Sequence, residues 1–240
     1  LSEEKAITLG HPSYVWGFGQ ERRLELIRRF VRLEGQAILD VGCGVGTYVR
    51  ALRRFSPNVH GVDIDDEKVA VAGRTLPNIR LASAENLPYP DDSFDVVLSH
   101  EVIEHVRDDR QAIGEAVRVL KKGGHLIVFA PNRLYPFETH GAYWHGTYHF
   151  GNIPLVNYLP DRWRNRFCPH VRAYTSDDLR RLLDGAPVRI VTHTQIYPGY
   201  DKITKRHPHL GRLLRRTTYL LERTPLRIFG LSHFMIVEKM

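Results

Sequence analysis

Residues Ile38 to Gly46 read ILDVGCGVG, and this run constrains the chain more than any other stretch of its length. An apolar run closes on Asp40 and Val41 and breaks at once into Gly42, Gly44 and Gly46. The apolar part has the look of a buried strand. The glycines make a tight turn where a flat ligand can touch bare backbone, since side chains would block its approach. Thr47-Tyr48-Val49-Arg50-Ala51-Leu52 then reads as a helix start. Strand, glycine turn and helix together form the nucleoside- or phosphate-binding opening of an open α/β sheet. Many glycine turns bind nothing, so the rest of the chain has to decide.

The rhythm around that opening is regular. Gln20 to Leu33 places Leu24, Ile27 and Val31 at helical spacing between charges. Strands are predicted at Ala37–Val41, Val59–Ile64, Ile79–Ala82, Phe94–Ser99 and His125–Ala130. Helices are predicted from Thr47 to Arg54, Asp66 to Arg74 and Asp109 to Leu120, the last stopped by Lys121-Lys122-Gly123-Gly124. A strand–helix alternation with short links predicts an α/β, Rossmann-like, doubly wound sheet. The rhythm fails from Pro131 to Tyr174, a length without elements that usually serves function, often as a lid. It resumes with a helix from Thr175 to Leu183, a strand at Val188–Ile196 and a closing strand at His233–Glu238. A chain of 240 residues with this order is expected to form one domain, with a lid insertion over 131–174 and a basic helical insertion over 198–232.

The glycine spacing argues against a dinucleotide. A pyrophosphate is met by G-x-G-x-x-G at a helix N-terminus. This chain has G-x-G-x-G with Asp40 just before it, and an acid there repels a pyrophosphate but suits an ammonium or another cationic centre. A nucleoside cofactor with positive charge and no phosphates fits. Asp63, at the end of the second strand, is placed to accept both hydroxyls of a ribose lying over the turn, or else merely caps the next helix. Ser83-Ala84-Glu85 follows the third strand, where Glu85 or the backbone of Ala84 would meet an adenine edge; an ordinary turn is the competing reading.

With these residues in view the chain resembles the class I S-adenosylmethionine-dependent methyltransferases, and among them the group that includes the ubiquinone-biosynthesis methyltransferases. The likeness rests on LDVGCGVG (Leu39–Gly46), VHGVDID (Val59–Asp65), ASAENLPYPDDSFDVVLSHEVIEHV (Ala82–Val106) and VLKKGGHLIVFAPN (Val119–Asn132), in the family's order. It implies S-adenosyl-L-methionine as cofactor, with Asp40, Gly42 and Gly44 around its methionine part and Asp63 on the ribose. Ala84 and Glu85 would cup the adenine, and Ser99 or His100 after the fourth strand would touch the methionine part. It also implies a seven-stranded sheet whose last strand is antiparallel. The family's exocyclic-amine methylases carry an Asn/Asp-Pro-Pro-Tyr-like turn after the fourth strand; Ser99-His100-Glu101-Val102 replaces it and disfavours that chemistry.

Glu101, Glu104 and His105 follow in EVIEH. On a helical turn, offsets of three and four put all three on one face, and two carboxylates with an imidazole suit a hard divalent cation. Similar runs serve as magnesium or manganese ligands in ubiquinone O-methyltransferases and small-RNA 2′-O-methyltransferases; elsewhere the same run only caps a helix and pairs with basic groups. His140, His145 and His149 of the lid are candidate extra ligands and candidate bases for a hydroxyl acceptor, interleaved with Tyr143, Trp144, Tyr148 and Phe150. An aromatic mini-core with water-facing histidines is the alternative. Tyr14, Trp16 and Phe18 are candidates to fold over the cofactor or to pack on the first helix.

Charge singles out one further segment. Of the net +7, six units arise between Asp201 and Arg227, where eight Lys or Arg face two acids. Leu210, Leu213, Leu214, Thr217, Leu220 and Leu221 follow helical spacing among the arginines. The helix is expected to pack its leucines on the domain, to lie on an anionic membrane surface through 202–227, or, less favoured, to grip RNA. Cys43 and Cys168 cannot make a disulfide framework, the opening LSEEKAITLG is too polar for a leader, and no apolar run spans a bilayer, so a cytoplasmic protein, with a peripheral membrane contact as one option, is expected. The combined expectation is methyl transfer to a small-molecule acceptor, most readily at oxygen. A metal-dependent RNA 2′-O-methyltransferase and a non-catalytic cofactor- or partner-binding protein are the rivals.

Overall fold

The computed structural model describes residues 16–240; Tyr14 and the polar opening lie outside them. Its centre is a seven-stranded sheet of order β10-β11-β5-β4-β1-β2-β3. The strands are β1 (Ile38–Val41), β2 (Val59–Asp63), β3 (Ile79–Leu81), β4 (Phe94–His100), β5 (Leu120–Pro131), β10 (Val188–Ile196) and β11 (Ser232–Lys239). Strands β1 to β5 pair in parallel. Strand β11 runs antiparallel to both β5 and β10 and is the one reversed strand, as expected for the closing segment.

Side-chain alternation builds the two faces. Leu39, Val97, Leu126, Val128, Met235 and Val237 point to one side of the sheet, while Ile38, Val96, Leu98, Ile127, Phe129, Phe234 and Ile236 point to the other. The first face is covered by Ile113, Ala116 and Val117 of α4 (Asp109–Val119) and Leu179 of α6 (Ser176–Arg181). The second is covered by Leu24 and Ile27 of α1 (Phe18–Arg28), Val49 and Leu52 of α2 (Thr47–Leu52) and Ala72 of α3 (Asp66–Gly73). Burial on both faces is why these strands read as apolar runs. Local caps agree with the sequence: the Asp65 carboxylate accepts from Glu67 and Lys68 at the start of α3, and Thr175 and Asp178 form a capping box on α6.

Two boundaries differ from expectation. Helix α1 ends at Arg28, although Val31 and Leu33 still reach the core through the turn that follows. Helix α4 stops at Val119, and Lys121-Lys122 extend as the beginning of β5 rather than closing the helix. There the Lys121 ammonium donates to Asp95 (2.9 Å), a contact with a neighbouring strand that local spacing does not encode.

The segment 131–174 is not elementless. It holds two small antiparallel pairs, β6 (Phe137–Glu138) with β9 (Ile153–Pro154) and β7 (Ala142–Trp144) with β8 (Thr147–His149), and a helix α5 (Asp161–Phe167). Its buried centre is the Arg164 guanidinium, which donates to Glu138 (2.7 Å), the Val171 carbonyl (2.8 Å) and Asn157 (3.2 Å). Two-residue strands around a buried ion pair carry no hydrophobic period, so the pattern is invisible in the sequence. Two further helices, α7 (Asp201–Arg206) and α8 (Pro208–Leu221), precede β11. No helix among the described residues is long and apolar enough to cross a membrane.

Candidate functional site

The chain leaves β1 toward β2 and β3 on one side and returns through β4 and β5 on the other, so the strand order reverses between β1 and β4. Ligands of open α/β sheets bind beyond the carboxyl ends of the strands at such a reversal. A cleft of about 830 Å³ opens there, lined by Asp40, Gly42, Gly44, Asp63, Ala84 and Glu85 together with His100, Glu101, His105 and His140.

The glycine turn and the second-strand acid are one unit. Gly44 donates its backbone N–H to one Asp63 carboxylate oxygen (2.7 Å), and Asp65 donates to the other (2.9 Å). Each oxygen keeps a further lone pair for a ligand hydroxyl. Gly42 has φ +70°, and a Cβ there would sit 2.4 Å from Val102 Cγ2; Gly44 has φ +54° and nothing within 4 Å of its missing Cβ, which leaves bare backbone facing the cleft. Gly42→Ala is therefore expected to lose about 2–4 kcal/mol of stability, the sum of a left-handed alanine and an overpacked contact. Thermal melting checks this, and Val102→Ala in the same chain should restore part of the loss. An unchanged melting temperature for the single variant would remove the steric account.

Asp40 is buried beneath the turn, and burial, then the neighbouring Asp63 charge, push its carboxyl well above the usual range. A cationic ligand group would relieve both effects. Glu85 uses its carboxylate on the protein itself, accepting from the Ser83 hydroxyl (2.7 Å) and the Asp108 N–H (2.8 Å), so it braces the turn after β3 against α4. Ser99 is buried inside β4 and does not line the cleft; His100, the next residue, does. Side chains alternate across a strand, so only one of these neighbours faces the cleft.

The sequence did not single out Arg23 and Gln20, which reach the cleft from α1. The Arg23 guanidinium lies 3.0 Å from His100 Nε2 and donates to Ser232 (2.9 Å) and Glu101 (3.4 Å). Their only local signal was membership of an amphipathic helix, which does not say which polar residue turns inward. Trp16 packs edge-on against Tyr48 (5.1 Å between ring centroids), and Phe18 lies under Arg215 (3.8 Å); neither lines the cleft.

The EVIEH run departs from the expected helical turn. Residues 101–107 are an irregular turn, with Glu101 in the left-handed region at φ +56°. Arg172 donates to the carbonyls of Val106 and Arg107, and Tyr174 to that of Ile103. Glu101 accordingly points to Arg23 and Ser232, and Glu101, Glu104 and His105 do not form one trio. The trio that does form is Glu104, His105 and His140, whose candidate ligand atoms all lie within 4.8 Å of one another. Glu104 is 1% exposed, and neither of its carboxylate oxygens has a hydrogen-bond partner among the described residues. Burial, then the Glu101 charge, push its carboxyl well above the usual range.

Both imidazoles are oriented from behind. His105 Nδ1 lies 3.3 Å from the His170 carbonyl, and a carbonyl only accepts, so this nitrogen carries the proton and Nε2 is left bare. His140 Nδ1 lies 3.0 Å from Glu138, which Arg164 holds in turn. Burial, then the His140 charge, lower His105 to about 4, so it is neutral near pH 7. His145 and His149 sit exposed on the β7–β8 hairpin and line no part of this cleft, so of the three lid histidines only His140 faces the site.

Residues 39–128 match the family model described as a methyltransferase domain. The chain is 38% identical over 117 residues to a probable S-adenosylmethionine-dependent methyltransferase of Mycolicibacterium smegmatis, covering 47% of this chain and 46% of the relative. It is 30% identical over 169 residues to a ubiquinone biosynthesis O-methyltransferase of Mesorhizobium japonicum, covering 68% of this chain and 64% of that one. The chain thus spans about half the length of the curated relatives it matches. A crystal structure of an S-adenosylmethionine-dependent methyltransferase from Mesorhizobium loti superimposes with a TM-score of 0.64 at 20% identity, over 93% of this chain and all of that one, a likeness of fold.

Proposed function

The chain belongs to the S-adenosylmethionine-dependent methyltransferases, and on that premise we propose that it methylates a hydroxyl of a small aromatic acceptor with the help of a divalent cation. The observation that carries this reading is the buried, unpartnered Glu104 carboxylate beside two oriented imidazoles, His105 and His140, the two imidazoles opening on the same cleft as the glycine turn. A metal-ligating histidine commonly donates its other ring N–H to a carboxylate or carbonyl, the arrangement both imidazoles have. The relative from Mesorhizobium japonicum is named for O-methylation in ubiquinone biosynthesis, which favours oxygen on an aromatic ring.

Methyl transfer from a sulfonium is an in-line displacement with a good leaving group, so the protein's main tasks are alignment and exclusion of water. Asp63 would accept the ribose hydroxyls, the turn at Ala82–Ala84 would flank the adenine, and the Gly42–Gly44 backbone with Asp40 would surround the methionine part. Arg23 supplies the positive charge that a carboxylate needs. Glu104, with the Nε2 atoms of His105 and His140, would hold the cation, which when bound polarises an acceptor hydroxyl and eases loss of its proton. Glu138 and Arg164 keep His140 turned inward.

The test pairs a binding and a turnover measurement. Calorimetry is expected to register adenosylhomocysteine, and methylation of ortho-dihydroxyarenes is expected to fall on chelation and return with Mg²⁺, Mn²⁺ or Zn²⁺. His140→Ala should weaken metal affinity by roughly an order of magnitude or more while leaving adenosylhomocysteine binding intact. Chelator-insensitive turnover with an unchanged His140→Ala variant would refute the metal. Methylation of RNA 2′-hydroxyls alone would move the acceptor to RNA.

A further inference from the structure

The basic segment before β11 packs only part of its leucine row. In α8 the face toward the protein carries Gly211, Leu214, Arg215, Thr218 and Tyr219, with half-buried Leu221 and the capping Glu222 at its end. Gly211 is pressed against Thr204 of α7, where a Cβ would come within 2.2 Å of the hydroxyl oxygen. Arg215 stacks on Phe18 (3.8 Å) and donates to the Gly199 carbonyl (2.7 Å), and Tyr219 lies under Arg22 (3.8 Å). Leu210, Leu213 and Leu220, spaced three and seven apart on one helical face, point outward and are 48%, 57% and 57% exposed. The 3-10 turn Pro225–Phe229 continues this apolar row with exposed Leu226, Ile228 and Phe229.

The charges follow the same division. Both acids of the segment are engaged with the protein, Asp201 with Arg215 and Glu222 with Arg22. Among the described residues Lys202, Lys205, Arg206, Arg216, Arg223 and Arg227 are in no ion pair. Among the described residues the outward surface is thus an exposed apolar row edged by cations with no compensating acid.

We propose that α7, α8 and the 3-10 turn form a platform that docks on the surface of an anionic lipid bilayer, leucines in the headgroup boundary and cations on the lipid phosphates. Interfacial helices have this make-up, an apolar face beside Lys and Arg. RNA would use the cations but would leave the leucine row in water, so the apolar exposure favours lipid. The platform also joins the cleft. Asn132 at the end of β5 donates to the carbonyls of Ile228 and Gly230 (2.7 Å each), and the next residues, Leu231 and Ser232, line the cleft wall. The surface held on the bilayer therefore adjoins the cleft. This inference is independent of the proposed metal and acceptor.

Sedimentation of the chain with vesicles tests it. Binding is expected to vesicles of phosphatidylcholine mixed with phosphatidylglycerol, with weak binding to phosphatidylcholine alone and loss in high salt. Leu213→Ser with Leu220→Ser leaves the charge unchanged and should weaken binding about tenfold; Arg216→Glu with Arg223→Glu should abolish it. Both variants should keep the parent melting temperature, since these side chains contact solvent. Failure to bind anionic vesicles would overturn the proposal. So would vesicle binding indifferent to the serine pair, or a concentration-dependent dimer that the serine pair disrupts in place of vesicle binding. Salt-dependent capture of a short RNA with no vesicle binding would transfer the surface to nucleic acid.

Discussion

Asp63→Ala is expected to weaken adenosylhomocysteine binding by roughly a hundredfold or more, measured by calorimetry. Two hydrogen bonds from ribose hydroxyls to an ionised carboxylate contribute about 1.5–3 kcal/mol each, and their loss leaves those hydroxyls facing a methyl group. The variant also removes the acceptors of the Gly44 and Asp65 N–H groups, at 2.7 and 2.9 Å, so the turn loses its anchor along with the ligand's. Asp63→Asn keeps one acceptor oxygen and should fall between the two. Circular dichroism separates the effects: the sheet is buried on both faces around β2 and should persist. Unchanged affinity in Asp63→Ala would show that the ribose lies elsewhere, and the assignment of the whole cleft would go with it.

Arg164→Ala is expected to destabilise the segment 137–171 by about 3–5 kcal/mol, because it leaves Glu138 buried without its guanidinium partner. The lost bonds to Asn157 and the Val171 carbonyl join α5 to the rest of that segment, so the damage should be local. Hydrogen exchange is the suitable measurement. Protection should disappear over 137–171 while β1, β4 and β5 stay protected. Methyl transfer should fall with it, since Glu138 orients His140 through both its ring and its backbone N–H (3.0 Å each), yet adenosylhomocysteine should bind as before. Adding Glu138→Gln to Arg164→Ala should recover part of the protection by removing the stranded charge. Unaltered exchange in the single variant would mean that the ion pair does not hold the segment together.

These expectations differ in how much of their basis was readable from residue order. The Asp40–Gly44 turn, Asp63 and the strands on both sides of them were legible because each rests on a local rule. A short apolar run bounded by turn residues marks a strand buried on both faces, a left-handed turn selects glycine, and an acid at a strand end follows the turn by a set interval. The reversed closing strand was legible only through the family likeness, since nothing in His233–Glu238 itself states a direction. Ser99 against His100 was not legible, because two neighbours in a strand differ only in which face the sheet turns toward the cleft.

The amino-acid order by itself determined the doubly wound sheet, the position of the glycine turn and the concentration of positive charge near the C-terminus, because periodicity and composition act over a few residues. Only the tertiary structure decided that Glu104 and His105 meet His140 while Glu101 turns to Arg23, that His145 and His149 face away, and that Leu210, Leu213 and Leu220 of α8 point outward. Those outcomes depend on contacts between segments far apart in the chain: Arg172 and Tyr174 shaping the 101–107 turn, Arg164 anchoring Glu138, and α7 and α1 covering the polar face of α8. Such contacts follow from how the whole chain packs, and no local spacing rule carries that information.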